Sequence, residues 1–180
     1  MKATVVTLLF IASTFTASAF AQETPASKVV APGCGPTDAK FSVKADKGQH
    51  PAAQPEPGKA IVYFVEDDTH FQSTPKPTTR IGLDGAWIGA NHGNSYFSFS
   101  VDPGEHHLCA SWQSFIGPGS RNKAAAAHFT AEAGAVYYFR VENTWLREVM
   151  IPGIELVPLD SDEGQLLASK FSFSTFQPKN

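Results

Sequence analysis

The chain predicts an all-β fold, an antiparallel β-sandwich of about seven to eight strands with one short C-terminal helix. Three observations carry this prediction. Apolar residues recur at period two in stretches such as "SYFSFSV", the alternation of a strand with one face in a core. Turn sequences such as "LDGAW", "NHGN", "VDPGE" and "EAGAV" interrupt the alternation at strand-length intervals. Helix signals gather in one place, near the C-terminus.

The first 21 residues read as a secretory signal peptide. Lys2 supplies a positive start, residues 5–15 an apolar run too short and too broken by Thr and Ser to span a bilayer comfortably, and Ala19-Phe20-Ala21 a small-x-small cleavage pattern. The mature chain then begins at Gln22, with no further stretch apolar enough for membrane insertion. Residues 22–57, rich in Pro, Ala, Gln and Lys, read as a flexible arm and linker, with a possible edge strand at residues 40–43.

Residues 58–180 form the predicted sandwich domain with its helix and tail. "KAIVYFVE" is apolar on both alternating faces, as expected of a central strand. "TRIGLDGAWIGA" is a hairpin about Asp84-Gly85, which sets Ile81, Leu83, Ala86 and Ile88 on one face and Gly82, Trp87 and Gly89 on the other. "SYFSFSV" and "HHLCASW" are predicted to pair about Pro103-Gly104, with Phe99 opposite Leu108 and Phe97 opposite Ala110. That register puts Tyr96, Ser98 and Ser100 on the outer side together with His107, Cys109 and Ser111. "AAHFTAE", "GAVYYFRVEN" and "GIELVPL" supply the remaining strands. In "DSDEGQLLASKF", Asp160 is placed to cap a helix, with Glu163 at the capping-box position.

Charge narrows the function classes. The chain holds 14 Lys and Arg against 17 Asp and Glu, a net charge of −3, and Lys2 lies in the leader. A weakly acidic chain without a basic cluster argues against nucleic acid and anionic lipid as partners. The two cysteines, Cys34 and Cys109, sit in an export context where a disulfide is the default and two free thiols the alternative. A bond between them would lay the arm across the sheet and hide Ser98, Ser100 and Ser111.

Several residue types invite catalytic readings. His106 and His107 are adjacent, so in a strand they point to opposite faces and do not readily grip one ion. No ligand spacing recruits His70, His92 or His128 to them. No G-x-S-x-G elbow is present to expose a nucleophilic serine. Two acidic clusters, Glu66-Asp67-Asp68 and Asp160-Asp162-Glu163, would offer oxygens to calcium only if the fold joined their loops; otherwise they are a solvated loop and a helix start. Trp87, opposite the core side of its hairpin, and Trp145, in a loop-like stretch, are the candidate binding residues, since exposed indoles stack on sugars or apolar partners. Coverage by the arm or the helix is the competing reading.

The order "GKAIVYFVE … RIGLDGAWIGANHGNSYFSFSVDPGEHHLCASW … AEAGAVYYFRVE" resembles the bacterial envelope family known as domain of unknown function 2846. The likeness covers residues 58–158, and the central hairpins are similar to PEGA-type surface modules. It implies an exported β-sandwich with no catalytic residues and no cofactor to carry over. Many members look like lipoproteins, but this chain has no cysteine at the cleavage point. The expectation is therefore a periplasmic or secreted, non-catalytic module that binds an envelope protein or glycan. The alternative is a metal-dependent enzyme using His92, His107 or the acidic loops.

Overall fold

The computed structural model describes residues 32–51, 53–114, 116–120, 123–145 and 152–179. The expected signal peptide and residues 22–31 lie outside them. Ten strands and one helix follow in chain order: β1 (Phe41–Asp46), β2 (Ala60–Asp67), β3 (Thr78–Leu83), β4 (Ala86–His92), β5 (Ser95–Val101), β6 (Gly104–Trp112), β7 (Ala124–Ala131), β8 (Val136–Trp145), β9 (Pro152–Leu159), α1 (Ser161–Lys170) and β10 (Ser172–Pro178). They form a sandwich of a six-stranded sheet, β1-β10-β5-β2-β8-β9, and a four-stranded sheet, β4-β3-β6-β7.

The sandwich and its terminal helix are as the sequence predicts, with two differences. The edge strand expected at residues 40–43 is present as β1 and runs on to Asp46. The C-terminal tail adds a strand that was not expected, for β1 pairs with β10 along its whole length, from Phe41 opposite Pro178 to Asp46 opposite Phe173. The larger sheet is also mixed, because β2 runs parallel to β8 and β10 parallel to β5. The chain visits the smaller sheet between β2 and β5 and again between β5 and β8. Long crossovers of that kind allow strands to align in parallel, as a tight hairpin does not.

The inner faces meet in a core of Val62, Phe64, Ile81, Phe97, Leu108 and Val141, all nearly or fully buried. β2 is buried at every position, as its two-sided apolar pattern requires. Its other face, with Ile61, Tyr63 and Val65, packs with Tyr96 and Tyr138 beneath Leu167 and Ala168 of α1. The Asp160 carboxylate caps α1 by accepting from the backbone N–H groups of Asp162 and Glu163 at 2.9 Å. Glu163 makes an ion pair with Arg140 at 2.9 Å.

The expected hairpin of β5 and β6 is corrected. β5 pairs with β2, and β6 pairs with β3 and β7. Alternation sets which face of a strand is apolar but not which strand lies beside it, and Pro-Gly is not a favoured two-residue hairpin turn. Phe97 and Leu108 therefore do line one core, from opposite sheets. Ser98 and Ser100 lie on one outer surface of the molecule, and His107, Cys109 and Ser111 on the other.

The β3–β4 hairpin turns at Asp84-Gly85 with φ of 50° and 88°, left-handed values at both central residues, where Gly is favoured. Its register shifts by one residue, so that Ile81 opposes Gly89 while Gly82 opposes Trp87. This bulge turns Gly89 inward, where a Cβ would lie 2.7 Å from the rings of Phe97 and Phe176. The expected outward Gly89 is corrected accordingly.

Candidate functional site

The disulfide joins Cys34 to Cys109 across 75 residues, with the Cα atoms 5.0 Å apart. It draws residues 33–39 over the outer face of the smaller sheet. There the Arg80 guanidinium donates to the Thr37 and Ala39 carbonyls at 3.0 and 2.8 Å and to the Ser111 hydroxyl. Ser111 is covered, as expected of a disulfide-bound arm; Ser98 and Ser100, on the other sheet, are not under that segment.

Neither tryptophan chosen from the sequence presents a free face. Trp145 is 5% exposed and packs edge-on with Phe71, which in turn meets Trp112. Its expected exposure in a loop is corrected: it ends β8 on the inward side, in register with Val141 and Asn143. Trp87 is half-buried. Its indole N–H donates to the Pro36 carbonyl at 2.6 Å, and the Arg80 guanidinium lies 4.4 Å from its ring centroid. Gly35 approaches so closely that a Cβ there would lie 2.6 Å from the ring.

The histidines and acids do not assemble a metal centre, and no group of three His, Cys, Asp or Glu side chains suited to one occurs among the described residues. His92 and His107 stand at opposite ends of the smaller sheet, beside Thr78 and His128 respectively. His92 donates through Nδ1 to the Pro77 carbonyl at 2.8 Å. His106 places both ring nitrogens against acceptors, the Asp84 carboxylate and the Asp102 carbonyl, each at 2.7 Å. Burial alone would lower its pKa, but these two bonds and the nearby carboxylate charge together raise it. Glu66 continues the inward series of β2, whereas Asp160, Asp162 and Glu163 begin α1 on the outer face of the larger sheet, so these carboxylates are not brought together.

Glu66 is where the sequence reading missed most. Read as part of a solvated loop, it is fully buried at the end of the inner core, and Asp68 is 2% exposed. Asn143 donates through Nδ2 to Glu66 at 2.8 Å and to Asp68 at 2.7 Å. The Trp112 indole, which can only donate, holds the Asn143 carbonyl oxygen at 2.7 Å and so fixes the amide orientation. Thr79 donates a further bond to Glu66. One oxygen on each carboxyl, and Oδ1 of buried Asn91, has no hydrogen-bond partner among the described residues. Burial and the Asp68 charge raise the Glu66 pKa well above the carboxylate range. Burial likewise raises Asp68 to about 6, against the opposing pull of Asn143, Lys76 and His92. Phe71, Trp112 and Trp145 pack together at the same end. The one available signal was period two, which continues the inward series Val62, Phe64 to Glu66.

An accessible concavity lies elsewhere, between α1 and the residues His50, Pro51 and Ala53 on the outer face of the larger sheet. Its floor is a row of tyrosines, with Tyr63 stacked on Tyr138 at 4.9 Å and on Tyr96 at 6.2 Å between ring centroids. Ala53 and the Tyr63 hydroxyl exchange two bonds of 3.0 Å, fixing one wall. The other wall is α1, which approaches through Gly164. His50 spans the mouth, donating through Nδ1 to the Ala168 carbonyl at 3.3 Å. The groove has a volume of about 340 Å³ and shares His50 with a second hollow of about 360 Å³ lined by Lys47, Asn94 and Lys170.

These features define a disulfide-tied β-sandwich with an aromatic-floored groove on one outer face. Comparison with protein-family models, with curated proteins and with solved structures finds no match for the chain.

Proposed function

We propose that the protein is an exported, non-catalytic binding module of the cell envelope, periplasmic or secreted, which holds its ligand in the groove between α1 and the residues His50, Pro51 and Ala53. The observation that carries this reading is the groove itself. It is concave, floored by aromatic side chains and bordered by polar groups, the usual make-up of a small-molecule site. The disulfide and the leader-like N-terminus support an oxidising location. No helix among the described residues is long and apolar enough to cross a membrane. The resemblance to the envelope domain of unknown function 2846 and to PEGA-type modules points the same way, and remains part of this proposal.

Trp87 and Trp145 are not the contact residues in this reading, because the arm and the core occupy them. The test is an NMR titration of the labelled full chain with soluble muropeptides, envelope polysaccharide and polar lipid extract. Shifts concentrated on Ala53, Ala168 and Ser169 for at least one fraction are the expected result. Shifts that avoid the groove for every fraction would overturn the proposal.

A further inference from the structure

We infer that the groove takes a small amphipathic anion, with its apolar body against the tyrosine floor and its carboxylate or phosphate at the His50 mouth. This rests on the binding-module reading and narrows it to a ligand class. The first argument is charge. The protein is acidic overall, with a net charge of −3, yet among the described residues no Asp or Glu lines either hollow. The ionisable groups at the junction and in the second hollow are His50, Lys47 and Lys170. Neither lysine has a carboxylate within ion-pairing distance among the described residues, since the ion pairs there involve Lys59, His70, His106 and Arg140. Glu163, in the first turn of α1, is held by Arg140.

The second argument is the division of chemistry between the two hollows. Pro51, Ala53, Val136 and Ala168 make the first one largely aliphatic above the tyrosines, and Val136 is 40% exposed. A body placed there would cover surface that is otherwise wet, the usual source of affinity for an apolar group. The second hollow offers two flexible ammonium groups and the Asn94 amide, donors suited to a carboxylate or phosphate and unsuited to a cation. His50 is committed through Nδ1 to Ala168, which leaves Nε2 of the neutral ring an acceptor. The donors that meet the anion are therefore the two ammonium groups and the Asn94 amide, with His50 marking the boundary between the hollows. A neutral sugar would leave both lysines without a counter-charge, and a cationic ligand would be repelled.

The test compares octanoate, octylammonium and acetate on the intact, oxidised chain by calorimetry and NMR. Octanoate is expected to shift groove resonances and to bind at least tenfold more tightly than either control. Lys47→Glu combined with Lys170→Glu, both at exposed positions, is expected to weaken octanoate at least tenfold with the circular dichroism spectrum unchanged. Ala168→Phe is expected to fill the apolar hollow and weaken it comparably. Octylammonium binding as well as octanoate, or a charge-reversed variant within twofold of wild type, would overturn the ligand class. A groove that responds to a neutral envelope fraction but not to octanoate would overturn this inference and leave the binding module standing. Octyl phosphate separates phosphate from carboxylate preference.

Discussion

Glu66 is fully buried, and Asp68, which shares the Asn143 amide with it, carries the same charge when ionised. Two buried carboxylates side by side are costly, and holding a proton relieves both desolvation and repulsion. The unpartnered Glu66 Oε2 is the atom that a proton would occupy while Oε1 keeps its bonds from Thr79 and Asn143. Both pKa values are raised on folding, so the folded protein binds protons more tightly than the unfolded chain. Their contribution to stability is therefore complete below about pH 4, the unfolded carboxylate range, and is lost as pH climbs through about 6 for Asp68 and through the raised pKa of Glu66. Urea denaturation should show wild-type stability from this pair declining between pH 5 and pH 8. Glu66→Gln carries a permanent N–H donor in place of the proton and should flatten that decline. Glu66→Ala leaves the Thr79 hydroxyl without its acceptor, takes one acceptor from the Asn143 amide, which keeps Asp68, and opens a cavity in the core. It should cost about 3 kcal/mol at pH 5. A Gln variant as damaged as the Ala variant at pH 8 would contradict the shared-proton account.

At the scale of elements, Gly164 separates propensity from packing. In an isolated helix, Gly→Ala at such a position would stabilise by about 1 kcal/mol. Here a Cβ on Gly164 would collide with the Tyr138 ring in the groove floor, so α1 must lift. Overpacking of that kind costs roughly 1–3 kcal/mol, and the net effect of Gly164→Ala should be a lower melting temperature together with altered shifts for Tyr138 and Ala168. An unchanged or higher melting temperature would mean the helix does not seat as described. The Asp160 cap and the helix were readable because their signals are local, as were the Asp84-Gly85 turn and the two-sided burial of β2. The β5–β6 partnership, the β1–β10 ladder and the bulge beside Gly89 were not, since alternation records a face and carries no address for the neighbouring strand. The groove escaped notice for a related reason: Tyr63, Tyr96 and Tyr138 lie on three strands, and the walls come from segments more than 100 residues apart.

For the whole molecule, the N-terminal segment acts as a strap over both outer surfaces. Residues 33–39 cross the smaller sheet, β1 closes the edge of the larger one through β10, and His50, Pro51 and Ala53 form a groove wall. The disulfide anchors the first crossing, while β1 and the Tyr63–Ala53 bonds anchor the rest independently. Replacing Cys34 and Cys109 by Ser should then cost about 4 kcal/mol of global stability, the loop-closure effect for a loop of this length. It should also have a regional signature. Trp87 should become quenchable by acrylamide as Gly35 and Pro36 leave it, while Trp112 and Trp145, packed with Phe71 at the core's end, stay protected. Ligand binding at the groove should survive, because its wall is held on the far side of β1. Quenching unchanged in the double Ser variant would show that Arg80 alone retains the strap, through its bonds to the Thr37 and Ala39 carbonyls. Loss of groove binding in that variant, with β1 still paired, would instead make the strap one cooperative unit from Cys34 to Ala53.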